Sequence, residues 1–533
     1  MKKIFILISL SFAGLPQSKE CRAGVLGQEH QNKVFPTVNP DSLVTVTAGK
    51  HYQRSKFYQL FWGKHYRDVW ATPVQAPILN LQQEAGGLTP VKKGGSFQTK
   101  NLRMVNPEGK EFVIRSIDKD PSKALPSKLQ NGLVGNLMRD QTSVIHPYGA
   151  FIVPTLARAA EIYHTNPKLV IIPDDPALGE FQQEFGHMLA LVEERPQGER
   201  EEIESFGNSS QIISSRKAFS KMVGSGCYAV DSRQYLKSRL FDMWLGDWSR
   251  REDQWRWSTF TNGNQTIYKP IPRDRDHAFF LFNDGLITWF TSKIKTNYQT
   301  FGYQIKDVKG LNGSARPMDE YLLAMLSKED FLAVAQEMKN QLSDAVIKEA
   351  IGVWPENIQA LTGKEFEQKL ISRRNQMPQV AEKYYNLISK YVSVTGSDRK
   401  DLFKIERLNN RETRISVHTL GKGDCGEIKL GERIFNTSKT KAVSIYGFGG
   451  NDEFIISGKV KNGIKVRIYD GEGQDVINDS SQVKSILKKT RIYNSPDGNT
   501  VSAGPKTKVI KNKYPLAHEY SGAGWLLLHR LHD

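Results

Sequence analysis

The chain is short of cysteine, of long apolar runs and of clustered charge. Three cysteines in 533 residues exclude a disulfide framework as the main staple. A signal cut after Ala23 would also remove Cys21, leaving Cys227 and Cys425, whose proximity the sequence does not reveal. No segment beyond Leu15 approaches the roughly 20 apolar residues that cross a bilayer, so no transmembrane helix is expected. The formal net charge of +17 would suit a nucleic-acid binder, yet Lys and Arg are spread over the whole length without a dominant run. Nucleic acid is therefore not the expected partner; anionic lipid, lipopolysaccharide or a phosphorylated ligand would be drawn by the same field. Also absent are the phosphate loop Gly-x-x-x-x-Gly-Lys, His-Glu-x-x-His and Gly-x-Ser-x-Gly. Ser214-Ser-Arg-Lys217 fits Ser-x-x-Lys without any of that motif's companions.

What is present begins with Met1-Lys-Lys and an apolar stretch from Ile4 to Leu15, the basic and hydrophobic parts of a secretory signal. Residues 1–23 are read as that signal, and the mature chain as exported to the periplasm, the outer membrane or the cell surface. Lys19 and Glu20 stand before Cys21 where a lipidation site wants small residues, which argues against an anchor there. With 39% hydrophobic and 25% charged residues the chain is globular, and its length suggests about two to four domains.

Four regions follow the signal. Residues 24–84 read as an extended, polar lead-in and then an aromatic packing segment carrying Tyr52, Phe57, Tyr58, Phe61, Trp62, Tyr66 and Trp70. Residues 85–197 read as α+β: a glycine turn at Gly94-Gly95-Ser96, strands over 97–105 and 111–117, a helix over 148–163, and strands over 168–173 and 188–193. Residues 198–392 are mainly helical, with an amphipathic helix over 231–246 capped by Asp231 and further helices between Met318 and Tyr391. Residues 393–533 change to short alternating runs such as Ala442-Val-Ser-Ile-Tyr446, a β module.

The densest chemistry lies between Gly246 and Phe279, where Asp247, Glu252, Asp253, Asp274 and Asp276 are interleaved with arginines and with Trp248, Trp255 and Trp257. A two-lobed nucleotide kinase needs a glycine turn over phosphates, a cation on the next strands, a carboxylate at the transfer point and a strand-end aspartate for magnesium. The chain supplies candidates in that order. Gly94-Gly95-Ser96 is the turn, Arg115 or Lys119 the cation, Glu161 its helix partner, Asp247 to Gln254 the transfer loop, and Asp274 or Asp276 the metal ligand. The competing reading is a structural network in which Arg250, Arg251 and Arg273 neutralise the acids while the tryptophans pack.

Gly246-Asp-Trp-Ser-Arg-Arg-Glu-Asp-Gln254 and Ile271-Pro-Arg-Asp-Arg-Asp-His-Ala-Phe279 resemble two motifs of the spore-coat CotH-type secreted kinases and of the wider atypical group with the Fam20-type and HipA-type kinases. In that family the first reads roughly Gly-Asn-x-Asp-Arg with a later amide, and the second Pro-x-Asp-x-Asp-x-x-Phe. The resemblance implies a nucleotide, ATP with Mg or Mn, held in part by Gln254 at the metal-binding amide and by Asp274 and Asp276 at the Asp-x-Asp pair. Ser249 stands where the family's transfer-loop aspartate is expected, a departure that questions phosphotransfer itself; Asp247 and Asp253 are the candidates to substitute.

Tyr446-Gly-Phe-Gly-Gly-Asn-Asp-Glu-Phe454 and Tyr469-Asp-Gly-Glu-Gly-Gln-Asp-Val-Ile477 each resemble one turn of the calcium-binding RTX nonapeptide, with Asp452 and Asp475 as calcium ligands. Those aspartates lie outside a nine-residue period, so stacked half-sites are not implied. The alternative is a set of glycine-aspartate turns in a β-solenoid or sandwich.

The sequence thus predicts an α+β two-lobed protein-kinase-like domain followed by an all-β C-terminal module. The expected function is metal-dependent phosphotransfer from a nucleotide to a protein or envelope acceptor. The rivals are a non-catalytic pseudokinase scaffold that binds an outer-membrane protein partner, and a calcium-binding surface module.

Overall fold

The computed structural model describes residues 43–94, 98–275, 277–420 and 425–511. The expected signal at 1–23, Gly95, Ser96 and Asp276 lie outside the described residues.

Leu43–Thr47 (β1) alternates in the period of a strand and pairs antiparallel with Pro73–Pro77 (β2). Part of the segment expected to be an unstructured lead-in is therefore a strand. Its partner lies 30 residues on, and the polar sequence around β1 gives no local sign of it. Between the two, Lys56–Trp62 (α1) starts at Ser55, whose side chain accepts the Tyr58 N–H. Tyr52, Tyr66 and Trp70 are buried in the largest core, which makes the aromatic segment the packing element that its composition suggests.

Five antiparallel strands follow: Thr89–Lys93 (β3), Thr99–Val105 (β4), Glu111–Lys119 (β5), Lys168–Ile171 (β6) and Leu189–Glu194 (β7), in the order β3-β4-β5-β7-β6. Leu102, Met104, Ile114, Val170, Ala190 and Val192 fill one side of this sheet with a core of its own. A second five-stranded sheet is built from Gly198–Arg200 (β8), Ser209–Ser214 (β9), Tyr228–Val230 (β10), Trp255–Asn262 (β11) and Gln265–Pro272 (β12), ordered β10-β12-β11-β9-β8. β11 and β12 form a hairpin whose register runs from Trp255 opposite Pro272 to Asn262 opposite Gln265. That hairpin carries Gln254 at one foot and Arg273-Asp274 at the other, with the Arg273 N–H donating to the Gln254 carbonyl at 2.9 Å.

Ser232–Leu245 (α2) begins where expected, with the Asp231 carboxylate accepting the Gln234 N–H at 2.9 Å, and ends at Gly246 in the left-handed region, φ 77°. It is not amphipathic in place: every residue from Tyr235 to Leu245 is buried, charged ones included. Helices on several sides cover it, and Arg373 donates to the carbonyls of Met243 and Trp244 at 2.7 and 2.6 Å, occupying acceptors that a helix C-terminus leaves open. Among the described residues no helix is long and apolar enough to cross a membrane.

From Tyr391 to Lys511 every described helix or strand is a strand. Tyr391–Thr395, Ala442–Tyr446, Lys465–Tyr469, Thr490–Asn494 and Thr507–Lys511 stack in parallel as one sheet. Asp401–Arg407, Glu453–Ser457, Val476–Asp479 and Thr500–Ser502 stack in parallel as a second, which Glu412–Thr419 and Ile428–Asn436 extend antiparallel at one edge. Both sheets send Val, Ile and Phe into a shared core, so successive coils wind as a solenoid. The rings of Tyr446, Tyr469 and Tyr493 stack at 4.7 and 4.4 Å, and those of Phe403 and Phe454 at 4.7 Å, the spacing of neighbouring strands. Cys227, beside β10, and Cys425 form a disulfide across a Cα–Cα distance of 5.6 Å and tie this module to the preceding region.

Candidate functional site

The first sheet delivers Arg115 from β5, and the foot of the β11-β12 hairpin delivers Asp274. They meet: Arg115 Nη1 donates to Asp274 Oδ1, while its Nη2 reaches Glu193 Oε1 on β7 at 2.5 Å. Glu193 also accepts from the Thr165 hydroxyl at 2.7 Å. Burial pushes the Glu193 carboxyl above its usual range, and the guanidinium of Arg115 pulls against that rise. Asp274 sits at φ 53°, a left-handed conformation uncommon for a non-glycine residue that aims its side chain back at the first sheet.

Around this bridge lies a cavity of about 170 Å³ into which five arginines turn: Arg103, Arg115, Arg195, Arg256 and Arg273, against the acids Glu193, Glu194 and Asp274. Burial, together with the neighbouring positive charges of Arg273 and Arg195, lowers the Arg256 guanidinium to about 10. Arg195 is also paired with Glu111, which leaves five guanidinia against four acids; guanidinia brought this close favour an anion, and their planar forks match phosphate oxygens two at a time. Gly94 closes the open end of β3, its N–H donating to the Asn101 carbonyl at 2.9 Å; a Cβ there would press on the Arg103 side chain at 3.1 Å. Lys119 sits at the far end of β5 and lines a smaller cavity of about 40 Å³ together with Arg115 and Arg275.

Several expected residues are placed elsewhere. Glu161 is engaged by α2 rather than by the cation strand. It stands on the surface at φ 53° and takes an ion pair from Lys237 of α2 at 3.2 Å, which holds its carboxyl below the usual range. Asp253 is exposed and forms a surface pair with Arg251 at 3.0 and 3.1 Å. Gln254 is buried, and its side-chain oxygen accepts the Arg251 N–H at 2.8 Å, so the amide closes its own turn. Asp274 is engaged by Arg115 and lies 3.7 Å from Arg273. Asp274 and Gln254 are thus occupied by protein groups, and no group of three or more His, Cys, Asp or Glu positioned to hold a metal ion occurs among the described residues.

Asp247 is a correction with a clear cause. It is fully buried, its Oδ2 accepts from Arg250 Nη2 at 2.7 Å and its Oδ1 from the Ser249 N–H at 3.0 Å, leaving it no access to a substrate hydroxyl. Burial raises its carboxyl to about 6 against the pull of Arg250. Arg250 also grips Asp242 at 2.9 and 3.1 Å and donates to the Arg273 carbonyl at 2.5 Å. Arg275 and Arg239 add to Asp242 at 3.2 and 2.9 Å, and Arg239 continues to Asp319 at 2.9 Å. The structural network weighed above is therefore the role of this half of the motif, and Trp255 and Trp257 are core residues with no exposed surface. Asp242, Arg239 and Asp319 escaped sequence reading because charged residues on an apolar helix look like its solvent face; the i,i+3 spacing of Arg239 and Asp242 was the available signal. Arg195 and Arg256 were missed because each sits on or beside an ordinary strand.

Asp452 and Asp475 are also explained by position. The Asp401 N–H donates to Asp452 Oδ1, the Asp452 N–H to Asp475 Oδ1, and the Asp475 N–H to Asn499 Oδ1, each at 2.8 Å. Asp452 and Asp475 stand 23 residues apart, one coil of the solenoid, so the two stack on a longer period than nine residues. Each closes a corner by capping the preceding coil. A tyrosine stands six positions before each of Asp452, Asp475 and Asn499, and that recurrence was the signal for the coil.

Neither family models nor curated proteins match the chain. Among solved structures, the Helicobacter pylori proinflammatory kinase CtkA aligns over 57% of this chain and 96% of that one, at 10% identity and a TM-score of 0.28. That score is too low to identify the fold or the activity of this chain.

Proposed function

We propose that this is an exported, kinase-like protein that binds a nucleotide or a similar polyphosphate in the arginine-lined cleft and works chiefly as a non-catalytic scaffold. The convergence of Arg103, Arg115, Arg195, Arg256 and Arg273 on one cavity beside Asp274 carries this reading. The kinase-like layout is supported by a five-stranded antiparallel sheet with Gly94 directly after its first strand and a cation on its third, where protein kinases keep their phosphate-binding lysine. Departures from a working kinase favour the scaffold. Ser249 replaces the transfer-loop acid, Asp247 is locked on Arg250, and Arg115 takes Glu193 and Asp274 rather than Glu161. Export is supported by the Cys227–Cys425 disulfide, a bond that persists in oxidising compartments. The partner of such a scaffold would be an envelope or outer-membrane protein.

A second reading, slow Mg- or Mn-dependent transfer to a protein or envelope acceptor, is favoured by the placement of Asp274 against Arg115, with Asp276 two residues further on. Calcium at Asp452 and Asp475 stays a separate proposal, motivated by buried Asp452 and Asp475 oxygens that lack hydrogen-bond partners. Titration calorimetry of the mature protein with ATP, with and without Mg, tests the first. Binding should weaken about tenfold or more when Arg256 and Arg273 are both changed to Ala, since a charge-assisted hydrogen bond contributes about 1.5–3 kcal/mol. Absence of binding by ATP and by inorganic triphosphate would reject the site. Transfer of label from ATP above background, lost in Asp274→Ala, would replace the scaffold reading with the enzymatic one.

A further inference from the structure

Leu286–Ile294 (α3), which follows the Asp274 loop, is inside out. Its buried residues are two threonines, Thr288 and Thr291, at 1% and 3% exposure. Leu286, Trp289 and Ile294 face outward at 56%, 50% and 58% exposure, while Ile287 is half-buried. A helix of a soluble protein normally does the opposite, because burying apolar surface is what holds it in place. The neighbouring α1 repeats the anomaly: five of its seven residues are apolar or aromatic, none is buried, and Phe57 and Leu60 are 74% and 55% exposed.

The two helices form one platform. The start of α3 is seated on the end of α1 so closely that a Cβ on Gly285 would meet the Gly63 nitrogen at 2.3 Å and the Phe61 carbonyl at 2.8 Å. Asp284 fixes the junction, accepting the His65 N–H at 2.5 Å and pairing with its Nδ1 at 2.7 Å. A contiguous apolar face of this kind marks an interaction surface rather than scattered exposure.

Its charge indicates the occupant. Residues 51–67 and 285–306 contain no Asp or Glu. Asp68, the next acid after α1, is already paired with Lys64 at 3.0 Å. Lys56 and Lys293 are exposed beside the apolar side chains, Lys295 is half-buried, and Lys293 lies over the Trp289 ring at 5.5 Å. Aromatic and branched side chains ringed by lysines match the boundary of an anionic bilayer, where rings enter the interface and lysines stay among headgroups.

We infer that α1 and α3 form a membrane-surface docking face that inserts Phe57, Leu60, Leu286, Trp289 and Ile294 into an anionic lipid interface. This does not depend on the nucleotide site. The test is flotation of the mature chain with vesicles of phosphatidylcholine, with or without phosphatidylglycerol, at low and high salt. Binding is expected to the anionic vesicles, weakened by salt, and lost in the triple variant L286S/W289S/I294S. That variant should keep its melting temperature, because these side chains are exposed. Lys293→Gln with Lys295→Gln should weaken binding severalfold without touching the apolar face. No flotation at low salt, or flotation unchanged in the triple variant, overturns the inference. Concentration-dependent self-association that the triple variant abolishes, with no vesicle binding, overturns it in favour of a second copy of the chain.

Discussion

The helical region and the C-terminal solenoid both bury carboxylates, and they neutralise them differently. Asp242, Asp247 and Asp319 are fully buried, and each meets a guanidinium from Arg239, Arg250 or Arg275. Asp401, Asp452 and Asp475 are almost as deep, but backbone amides take the place of guanidinia: Asp401 accepts the Ser397 N–H at 2.6 Å, while Asp452 and Asp475 cap the preceding coil. The titrations diverge accordingly. Burial pushes Asp242 up, yet Arg250, Arg275 and Arg239 together outweigh it and hold the carboxyl below its usual range. In the solenoid burial wins: Asp475 rises to about 7, Asp401 and Asp470 to about 6, and Asp452 well above the ordinary value, with neighbouring aspartates adding to the rise of Asp452 and Asp475. Three guanidinia outweigh burial at Asp242, whereas the amide hydrogen bonds of the solenoid lower its carboxyls too little to offset their burial.

The largest effect should come from breaking the first arrangement. Arg250→Met leaves Asp242 and Asp247 short of their shared cation and should destabilise the chain by about 3–5 kcal/mol in urea unfolding; a loss under about 1 kcal/mol would mean that Arg275 and Arg239 suffice. In the solenoid, Asp452→Ala removes the acceptor of the Asp401 N–H and should cost about 1–3 kcal/mol, while Asp452→Asn keeps an oxygen there and should cost far less. If the two variants are equally unstable, charge rather than capping is what the position supplies.

The pH dependence sharpens the contrast. A raised carboxyl means that the folded state binds the proton more tightly, so its contribution is fully present below the unfolded value and is lost as pH rises through the folded one. Solenoid stability should therefore increase as pH falls from about 7 to about 5, read as larger amide protection factors in its strands. Asp242 runs the other way, its contribution being lost only as pH falls below the normal carboxylate range, and Asp247, raised to about 6, moves with the solenoid. The smallest effect belongs to the exposed pair: Asp253→Ala should change stability by no more than about 0.5 kcal/mol.

Local patterning made much of the architecture legible. The Asp231 cap and Gly246 stop bracket α2, alternation marks Ala442 to Tyr446, and the hairpin under Asn106 to Gly109 joins β4 to β5. These depend on neighbours in sequence, and such signals survive without tertiary context. The strand at Leu43–Thr47 and the full burial of α2 did not show, because each depends on a partner far along the chain. At the site, Arg115 and Asp274 were both picked from sequence and both reach the cleft. Asp247 and Glu161 were picked by the same logic and do not, since only packing decides whether a carboxylate meets solvent, a ligand or an arginine.

By itself the sequence determined the caps and turns of single elements, the alternating strands after residue 393, the basic charge and the scarcity of cysteine, while the helical reading of 198–392 missed a five-stranded sheet over 198–272. Tertiary structure alone decided that five arginines share one cavity, that 23 residues make a coil, and that α3 turns its threonines inward and its tryptophan out. The physical reason is common to all three. Spacing along a chain sets which side chains share a face, but the environment of that face is set by segments beyond the reach of local pattern, from the adjacent coil to the far end of the chain.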